Sequence, residues 1–223
     1  MRDFFDYRKG VFRERIYKSF DTMLTPKLRF DIAWHCHRQW IKNVSFFKAE
    51  TATEAEKFSR AIGVKLQHAA FPAGEVVFAR GELASAMYII TRGIVFIGDP
   101  ELGGSRVVMS YNADEQLRSP RTAKTKQAVH PKTLWGQFRP SVFSSPGVVG
   151  DEMLLSDCAR YETASSLTYV DLLALPKTDL QEILELGKES FTSVKISIRV
   201  SAIKIALRRA MKEVAIRYSH ELI

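Results

Sequence analysis

The sequence predicts an α+β protein, an antiparallel β-roll of the jelly-roll type flanked by N-terminal helices and C-terminal helices. Apolar residues recur at helical spacing within the first 48 residues and again after residue 187. Between these two regions lie short runs rich in β-branched and aromatic residues, spaced about eight to twelve residues apart. Glycine and proline separate these runs, which favours an antiparallel roll over a parallel sheet with crossover helices.

The first helices form a predicted lead-in over residues 1–48. Pro26 fits the first position of a helix within this lead-in, because its missing N–H would have no helical partner there. A further helix is predicted over 53–62, where Thr53 and Glu56 have the spacing of a capping box. The roll is therefore predicted to follow three helices, two of them in the lead-in.

Strands are predicted from residue 64 onwards. Gly74, Gly81 and Gly93 separate several of them, at corners where a positive φ is expected. A segment of about 112–146 has scattered Pro, Ser and Lys with little periodicity, and we predict that it is a long basic loop inserted in the roll. The predicted strands are 64–71, 75–80, 86–91, 93–98, 106–111, 164–167 and 169–173.

Two helices are predicted to close the chain. The first spans 177–186 and ends at Gly187, and the second is a long amphipathic helix over about 189–218. The second helix is expected to pack its apolar face on the roll as a lid. That face is predicted to carry Val200, Ile203, Leu207, Met211 and Val214. The predicted organisation is a helical lead-in at 1–48, the roll at 49–187 and a lid helix at 188–223.

Charge and composition narrow the function. The chain has 223 residues and a net charge of +8, but the positive charge is uneven. Basic residues outnumber acidic ones 11 to 5 in 1–48 and 8 to 3 in 188–223, whereas acidic residues outnumber basic ones 8 to 2 in 141–187. Because the folded centre carries no basic stripe, no nucleic-acid partner is expected. The two distant cysteines favour a reducing compartment, and no membrane-spanning or leader segment is expected.

The residues with the clearest chemical potential lie in 148–163, which we call the cassette segment. Gly150 is followed by Asp151 and Glu152 and opens a possible helical turn, whose free N–H groups can receive a phosphate. Arg160 follows after a turn and can return to the same place as a guanidinium fork for phosphate oxygens. A carboxylate accepts well from a sugar hydroxyl. The combination is typical of a nucleotide site.

The cassette segment resembles the phosphate-binding cassette of cyclic nucleotide-binding domains. GDEMLLSDCAR at 150–160 and LTYVDL at 167–172 follow the family pattern without a gap. Upstream, FPAGE at 71–75 and MYIITRG at 87–93 are similar to strand and turn motifs of the same roll. Residues 24–47 resemble the end of the C-linker of cyclic nucleotide-gated, hyperpolarisation-activated and ether-à-go-go-type channels.

The resemblance implies roles for five residues. Gly150 would allow backbone to approach the ligand, Asp151 would hold the ribose 2′-hydroxyl and Arg160 would pair with the cyclic phosphate. The backbone N–H groups of Glu152 and Met153 would complete the cradle. The ligand would be cAMP or cGMP, acting as a regulator rather than a resident cofactor.

The resemblance also implies the biological setting. The chain would be a cytoplasmic regulatory domain of a tetrameric cation channel, such as a potassium channel, on the cytoplasmic side of a membrane. The C-linker would form the homotetramer, and ligand binding would be coupled to gating through the lid helix. Neither an enzyme nor a metal site is expected, because no nucleophile–base pair or ligand cluster stands out.

Two departures from the family pattern leave alternatives open. Asp151 replaces the usual Glu, and Tyr161 follows the arginine where Thr or Ala is common. Tyr161 would stack on the ligand or fill the pocket. The alternatives are a nucleotide-free homology domain that regulates gating through its own contacts, and a non-channel cytosolic sensor or scaffold.

Three further patterns have plainer interpretations. Arg160 alone could pair with Asp157 or Glu162 on a loop. The run 35–37, His-Cys-His, suggests metal ligands, but neighbours two apart on a helix diverge. The basic helix over 195–217 is either a lid with solvated charges or a membrane-surface or calmodulin-binding segment.

Overall fold

The computed structural model describes residue 12, residues 23–98 and residues 141–221. Most of the lead-in before residue 23, the strand predicted at 106–111 and most of the loop predicted at 112–146 lie outside the described residues. Within the described ranges the chain is α+β, with two antiparallel four-stranded sheets preceded and followed by helices. None of the helices described there is long and apolar enough to cross a membrane.

Two packed helices precede the sheets. Pro26 is the first residue of its helix, as predicted. The capping pair predicted for the second helix is wrong by two residues: the Thr51 hydroxyl accepts from the Glu54 N–H at 3.2 Å. This helix also continues past Gly63, where an added Cβ would lie 3.2 Å from the Ala33 carbonyl oxygen of the first helix. Gly63 therefore permits close helix packing and does not end the helix. The helices are α1 (Pro26–Ile41) and α2 (Ala52–Lys65), with a 3-10 turn at Ser45–Phe47 between them.

Eight strands form the two sheets within the described residues. Hydrogen bonding gives the order β1-β8-β3-β6 in one sheet and β2-β7-β4-β5 in the other. In the longest pairing, Ile89 of β3 lies opposite Leu173 of β8. The strands are β1 (Gln67–Phe71), β2 (Val76–Phe78), β3 (Ala86–Arg92), β4 (Ile94–Gly98), β5 (Ser141–Ser144), β6 (Gly147–Val149), β7 (Thr163–Ser166) and β8 (Val170–Pro176).

The strand predictions are confirmed in part. Gly74, Gly81 and Gly93 all have positive φ, so the predicted corners are correct. The strand predicted from residue 64 begins only at Gln67, because α2 extends to Lys65. The end of the predicted loop is wrong, since β5 lies there and pairs with β4.

Two apolar clusters hold these elements together. One lies between the sheets and contains residues of both, such as Ile90 and Leu172 from one sheet and Val95 and Ala164 from the other. The second joins the outer side of one sheet to the helices and includes an edge-to-face chain of Phe47, Phe58 and Phe191. The helices are thus fixed to the roll by buried apolar contacts.

The C-terminal helices are α3 (Lys177–Leu186) and α4 (Thr192–Glu221). The bounds of α3 agree with the prediction, including the end at Gly187. The predicted orientation of α4 is wrong. Its buried residues are Val194, Ile198 and Ile205, whereas the predicted face is exposed. The helix carries two apolar stripes, and the one that packs on the protein is not the one that the sequence analysis selected.

Candidate functional site

The cassette segment begins where β6 ends. Gly150 has a φ of +79° and turns the chain into a 3-10 helix over Asp151–Leu154. A Cβ at Gly150 would lie 2.6 Å from Nη1 of Arg160, so glycine is required both by the left-handed backbone and by the packed arginine. The structure therefore brings together Gly150 and Arg160, which are ten residues apart in the sequence.

Arg160 is almost completely buried, with 3% of its surface exposed. Its backbone is held against the chain before β3: the Arg160 N–H donates to Glu82 O at 2.7 Å, and Gly81 N–H donates to Arg160 O at 2.9 Å. Its guanidinium lies 4.2 Å above the Phe78 ring centroid. These contacts fix the position of a cation inside the protein.

Carbonyl and carboxylate oxygens accept hydrogen bonds from two of the three guanidinium nitrogens of Arg160. Nη1 donates to Gly150 O at 3.0 Å and to Glu152 Oε2 at 3.0 Å, while Nη2 donates to Ala86 O. Nε is buried and has no acceptor among the described residues. The chain itself thus supplies the anion that neutralises the buried arginine, through Glu152.

The simple pairing of Arg160 with Asp157 or Glu162 is not observed. Glu162 instead accepts from Nζ of Lys212 at 3.1 Å, and Asp157 is exposed with a φ of +38°. Sequence reasoning placed Glu152 at the site for its backbone N–H. In the structure the Glu152 side chain reaches the site as well, because its carboxylate accepts from Nη1 of Arg160.

Asp151 lies beside the arginine and is partly buried. Burial raises the pKa of its carboxyl group, while the positive charges of Arg208 and Arg160 act in the opposite direction. Arg208 belongs to α4, so the carboxyl group lies between the cassette segment and that helix. The Asp151 carboxylate is therefore a hydrogen-bond acceptor close to the positive charges of Arg208 and Arg160.

Met153, whose N–H the resemblance assigns to the phosphate cradle, is fixed by two kinds of contact. Its side chain is 1% exposed and belongs to the apolar cluster beneath the helices. Its N–H donates to Gly150 O at 3.3 Å within the 3-10 turn, so this donor is already engaged. In this structure the part of Met153 is to anchor the turn in the core.

Tyr161 faces α4. Arg209 and Lys212 each place their cationic group 5.7 Å from its ring centroid, and burial raises the pKa of its hydroxyl. Arg209 also donates through Nη1 to Ala159 O at 3.0 Å and to the sulfur of Cys158. Tyr161 is therefore part of the contact between the cassette segment and the helix.

Sequence reasoning missed this contact. Ile205, Arg209 and Lys212 are spaced four and three residues apart and so share one side of α4. That spacing continues the buried series of Val194 and Ile198. Periodicity places the two cations on the same side as this series, but it does not show that this side faces the protein, so the lid interpretation treats their charges as solvated.

A surface cavity of about 460 Å³ lies on another side of the 3-10 turn. Its lining includes Leu154, Leu155 and Lys177, and Nζ of Lys177 donates to Leu155 O at 2.7 Å. Arg160 is not part of this lining. The cavity is therefore separate from the buried cation.

The histidines near the roll do not form a metal site. His37 faces His68 of β1 with ring centroids 5.5 Å apart, and burial followed by the neighbouring His68 lowers the pKa of His37 to about 4. His35 and Cys36 are exposed. Among the described residues, no group of three or more His, Cys, Asp or Glu side chains is placed to hold a metal ion.

Fold and site together define an α+β domain of two antiparallel sheets with a buried arginine that Glu152 neutralises, next to residues that contact the last helix. No family model matches the chain, and no curated protein matches it. Among solved structures, the chain is similar to the N-terminal domain of a transcriptional regulator from Streptomyces coelicolor A3(2). That comparison has a TM-score of 0.47 and 18% sequence identity, and covers 77% of this chain and 94% of the other.

Proposed function

We propose that the cassette segment binds the phosphate of a cyclic nucleotide, and that the chain is the cytoplasmic regulatory domain of a tetrameric cation channel. The observation that carries the binding proposal is the guanidinium of Arg160, held inside the protein next to Gly150. A buried arginine is suited to phosphate because its fork matches two oxygens at once. The channel setting depends on the resemblance of residues 24–47 to a C-linker.

Binding would exchange one anion for another. The cyclic phosphate would displace the Glu152 carboxylate, whose side chain is 20% exposed and so can turn towards solvent. The partly buried Asp151 would accept from the ribose 2′-hydroxyl. Arg160 would keep its bonds to the Gly150 and Ala86 carbonyls, which orient the fork before the ligand arrives.

The response to the ligand would pass through α4. Arg209 and Lys212 bind residues 159–162, directly beside Arg160. A change in the cassette segment would therefore strengthen or weaken the contacts that hold α4 against it. Contacts that differ between two states in this way are what a population shift requires. The lead-in helices would transmit this change to a pore.

We further propose that the two sheets form a jelly roll. The strand orders 1-8-3-6 and 2-7-4-5 support this, because strands that follow one another in the chain lie in different sheets, except β4 and β5, which pair within one sheet. Two Greek keys give this arrangement. The channel would assemble as a homotetramer through its C-linker, with this domain on the cytoplasmic side of the membrane.

One observation favours a second candidate, a nucleotide-free homology domain. Because Glu152 already neutralises Arg160 at 3.0 Å, the chain provides its own substitute for a phosphate. In that case the ion pair would be a permanent structural element, and gating would depend on intrinsic contacts alone.

Calorimetric titration with cAMP and with cGMP distinguishes the two candidates. For the wild-type chain we expect saturable binding. Arg160→Lys keeps the charge but loses the fork, and should weaken binding by about tenfold to a hundredfold, since a charge-assisted contact contributes about 1.5–3 kcal/mol. Arg38→Ala, which removes an exposed arginine on α1, is the matched control.

Thermal unfolding of each variant verifies that the roll remains folded. Equal affinity in wild type and a folded Arg160→Lys would reject the phosphate contact. No binding by the wild type at millimolar ligand would reject nucleotide recognition and leave the homology-domain interpretation.

A further inference from the structure

The outward side of α4 is an exposed apolar stripe. Its six large residues are each 44–68% exposed, although the opposite side of the same helix is buried against the protein. We call this set the outer stripe. It consists of Ile196, Val200, Ile203, Leu207, Met211 and Val214.

The outer stripe is continuous. Steps of three and four residues keep its members on one side of the helix, and from the first to the last it runs for about 27 Å at 1.5 Å per residue. Single exposed apolar residues are common on protein surfaces, but a connected strip of this length marks a site of interaction. The ligand proposal makes no use of it, since the cassette segment contacts the other side of α4.

Cations border the outer stripe. Arg199 is exposed on one side and Lys204 on the other, about 70° from its centre at 100° per residue. No Asp or Glu occurs between Thr192 and Lys212. The first carboxylate after that, Glu213, is paired with Arg209 at 3.3 Å. The outward side therefore combines apolar side chains with positive charge alone.

This charge distribution indicates what kind of partner the outer stripe binds. In a parallel pair of identical helices, the seam 196, 200, 203, 207 would place Arg199 opposite Lys204 of the second copy, where like charges repel. A basic rim around an apolar stripe instead matches an amphipathic helix lying in the interface of an anionic membrane. Positive charges near such a surface add to the binding.

We propose that the outer stripe of α4 binds an anionic lipid surface. Its apolar residues enter the boundary between headgroups and acyl chains, and Arg199 and Lys204 contact lipid phosphates. The proposal does not depend on nucleotide binding. Because the inner side of the same helix contacts the cassette segment, attachment to a membrane would act on the helix that the proposed ligand response uses.

Co-sedimentation with sucrose-loaded vesicles tests the proposal. The probes are vesicles of phosphatidylcholine alone and of phosphatidylcholine with phosphatidylserine at about 7:3, where the serine lipid supplies the surface potential. We expect binding of the wild type to the anionic vesicles only. Ile203→Glu combined with Leu207→Glu, and separately Arg199→Glu combined with Lys204→Glu, should each reduce the partition coefficient at least about tenfold.

Lys57→Glu is the matched control, because it reverses an exposed charge on α2 and should leave binding within about twofold of the wild type. All four proteins are first compared by thermal unfolding. Failure of the wild type to bind anionic vesicles would overturn the proposal. So would equal binding by a folded Ile203→Glu/Leu207→Glu variant, or light scattering that shows a dimer which this variant dissociates.

Discussion

The two halves of α4 are attached to the protein in different ways. In the first half, Val194 and Ile198 are buried in the apolar cluster, together with Phe58 of α2 and Phe191 just before the helix. In the second half, the attachment consists mainly of Arg209 and Lys212, which bond to residues 158–162. The first half is held by burial of apolar surface and the second by polar contacts that water can replace.

The start of the helix has an additional link to α2. The Glu54 carboxylate accepts from the N–H groups of Ser193 and Val194 at 3.0 and 3.1 Å, so one acidic side chain caps the N-terminus of α4 from another helix. Because the two ends of α4 are held so differently, we expect the C-terminal end to separate from the protein before the N-terminal end does. Any motion of the second half of α4 would therefore pivot about an N-terminal end that is fixed to α2.

The largest expected effect is on the apolar anchor. Phe58→Ala should lower the free energy of unfolding by about 3–5 kcal/mol, because a fully buried ring would leave a cavity between Phe47 and Phe191. Urea denaturation followed by circular dichroism measures the change. Phe30→Ala, at a residue 42% exposed, is the control and should cost under about 1 kcal/mol. Similar losses in both variants would show that this aromatic chain is not the anchor.

The free energy of unfolding is expected to depend on pH through His37, which lies where α1 meets β1. The folded state lowers the pKa of His37 from 6.5 to about 4, so the unfolded chain binds more protons between these values. Stability contributed by the neutral ring is therefore present above pH 6.5 and is lost as the pH falls towards 4, by up to about 3 kcal/mol.

His37→Gln removes the titrating group and should flatten this part of the stability profile relative to wild type. The measurement is the unfolding midpoint in urea at pH 7, 6, 5 and about 4. His35→Gln, at an exposed histidine of the same helix, is the control. Parallel profiles for wild type and His37→Gln would contradict the assignment to His37.

The sequence predicted the elements whose signals are local. The bounds of α3 agree because Gly187 ends the helix, and the corners at Gly74 and Gly93 agree because only glycine adopts their backbone readily. β5 was missed because Ser141–Ser144 is too short to show alternation, and its pairing partner β4 lies more than forty residues earlier in the sequence.

The site and the orientation of α4 depended on long-range packing. The pattern placed Gly150, Asp151, Glu152 and Arg160 in one segment, but the carboxylate that reaches the guanidinium depends on the left-handed turn at Gly150. Periodicity detects an apolar stripe but cannot decide which of two stripes faces the roll. The orientation of α4 is therefore fixed by contacts with residues that are distant in the sequence, such as those of Arg209 and Lys212 with the cassette segment.

A smaller effect, on the affinity for cyclic nucleotide, is expected at the ion pair of Glu152 with Arg160. Glu152→Gln keeps the shape but removes the anion that competes with a phosphate for Arg160, so we expect tighter binding of cyclic nucleotide by about threefold to tenfold. Calorimetry measures the affinity. Glu162→Gln is the control, since Glu162 pairs with Lys212 rather than with Arg160. If Glu152→Gln weakens binding instead, Glu152 assists the ligand and does not compete with it.

The smallest effect, on the free energy of unfolding, is expected in the second half of α4. Lys212→Ala removes a bond to Glu162 in which both side chains are partly exposed, at 34% and 22%, so the cost should be only about 0.2–1 kcal/mol. A double-mutant cycle with Glu162→Ala isolates the pair, and its coupling energy should fall as salt is added. Glu54→Ala at the other end of the helix should cost more, because it leaves two helix N–H groups without their cap. A Lys212–Glu162 coupling as large as the Glu54 effect, and insensitive to salt, would mean that both ends of α4 are anchored alike and that the helix cannot open from its C-terminal half.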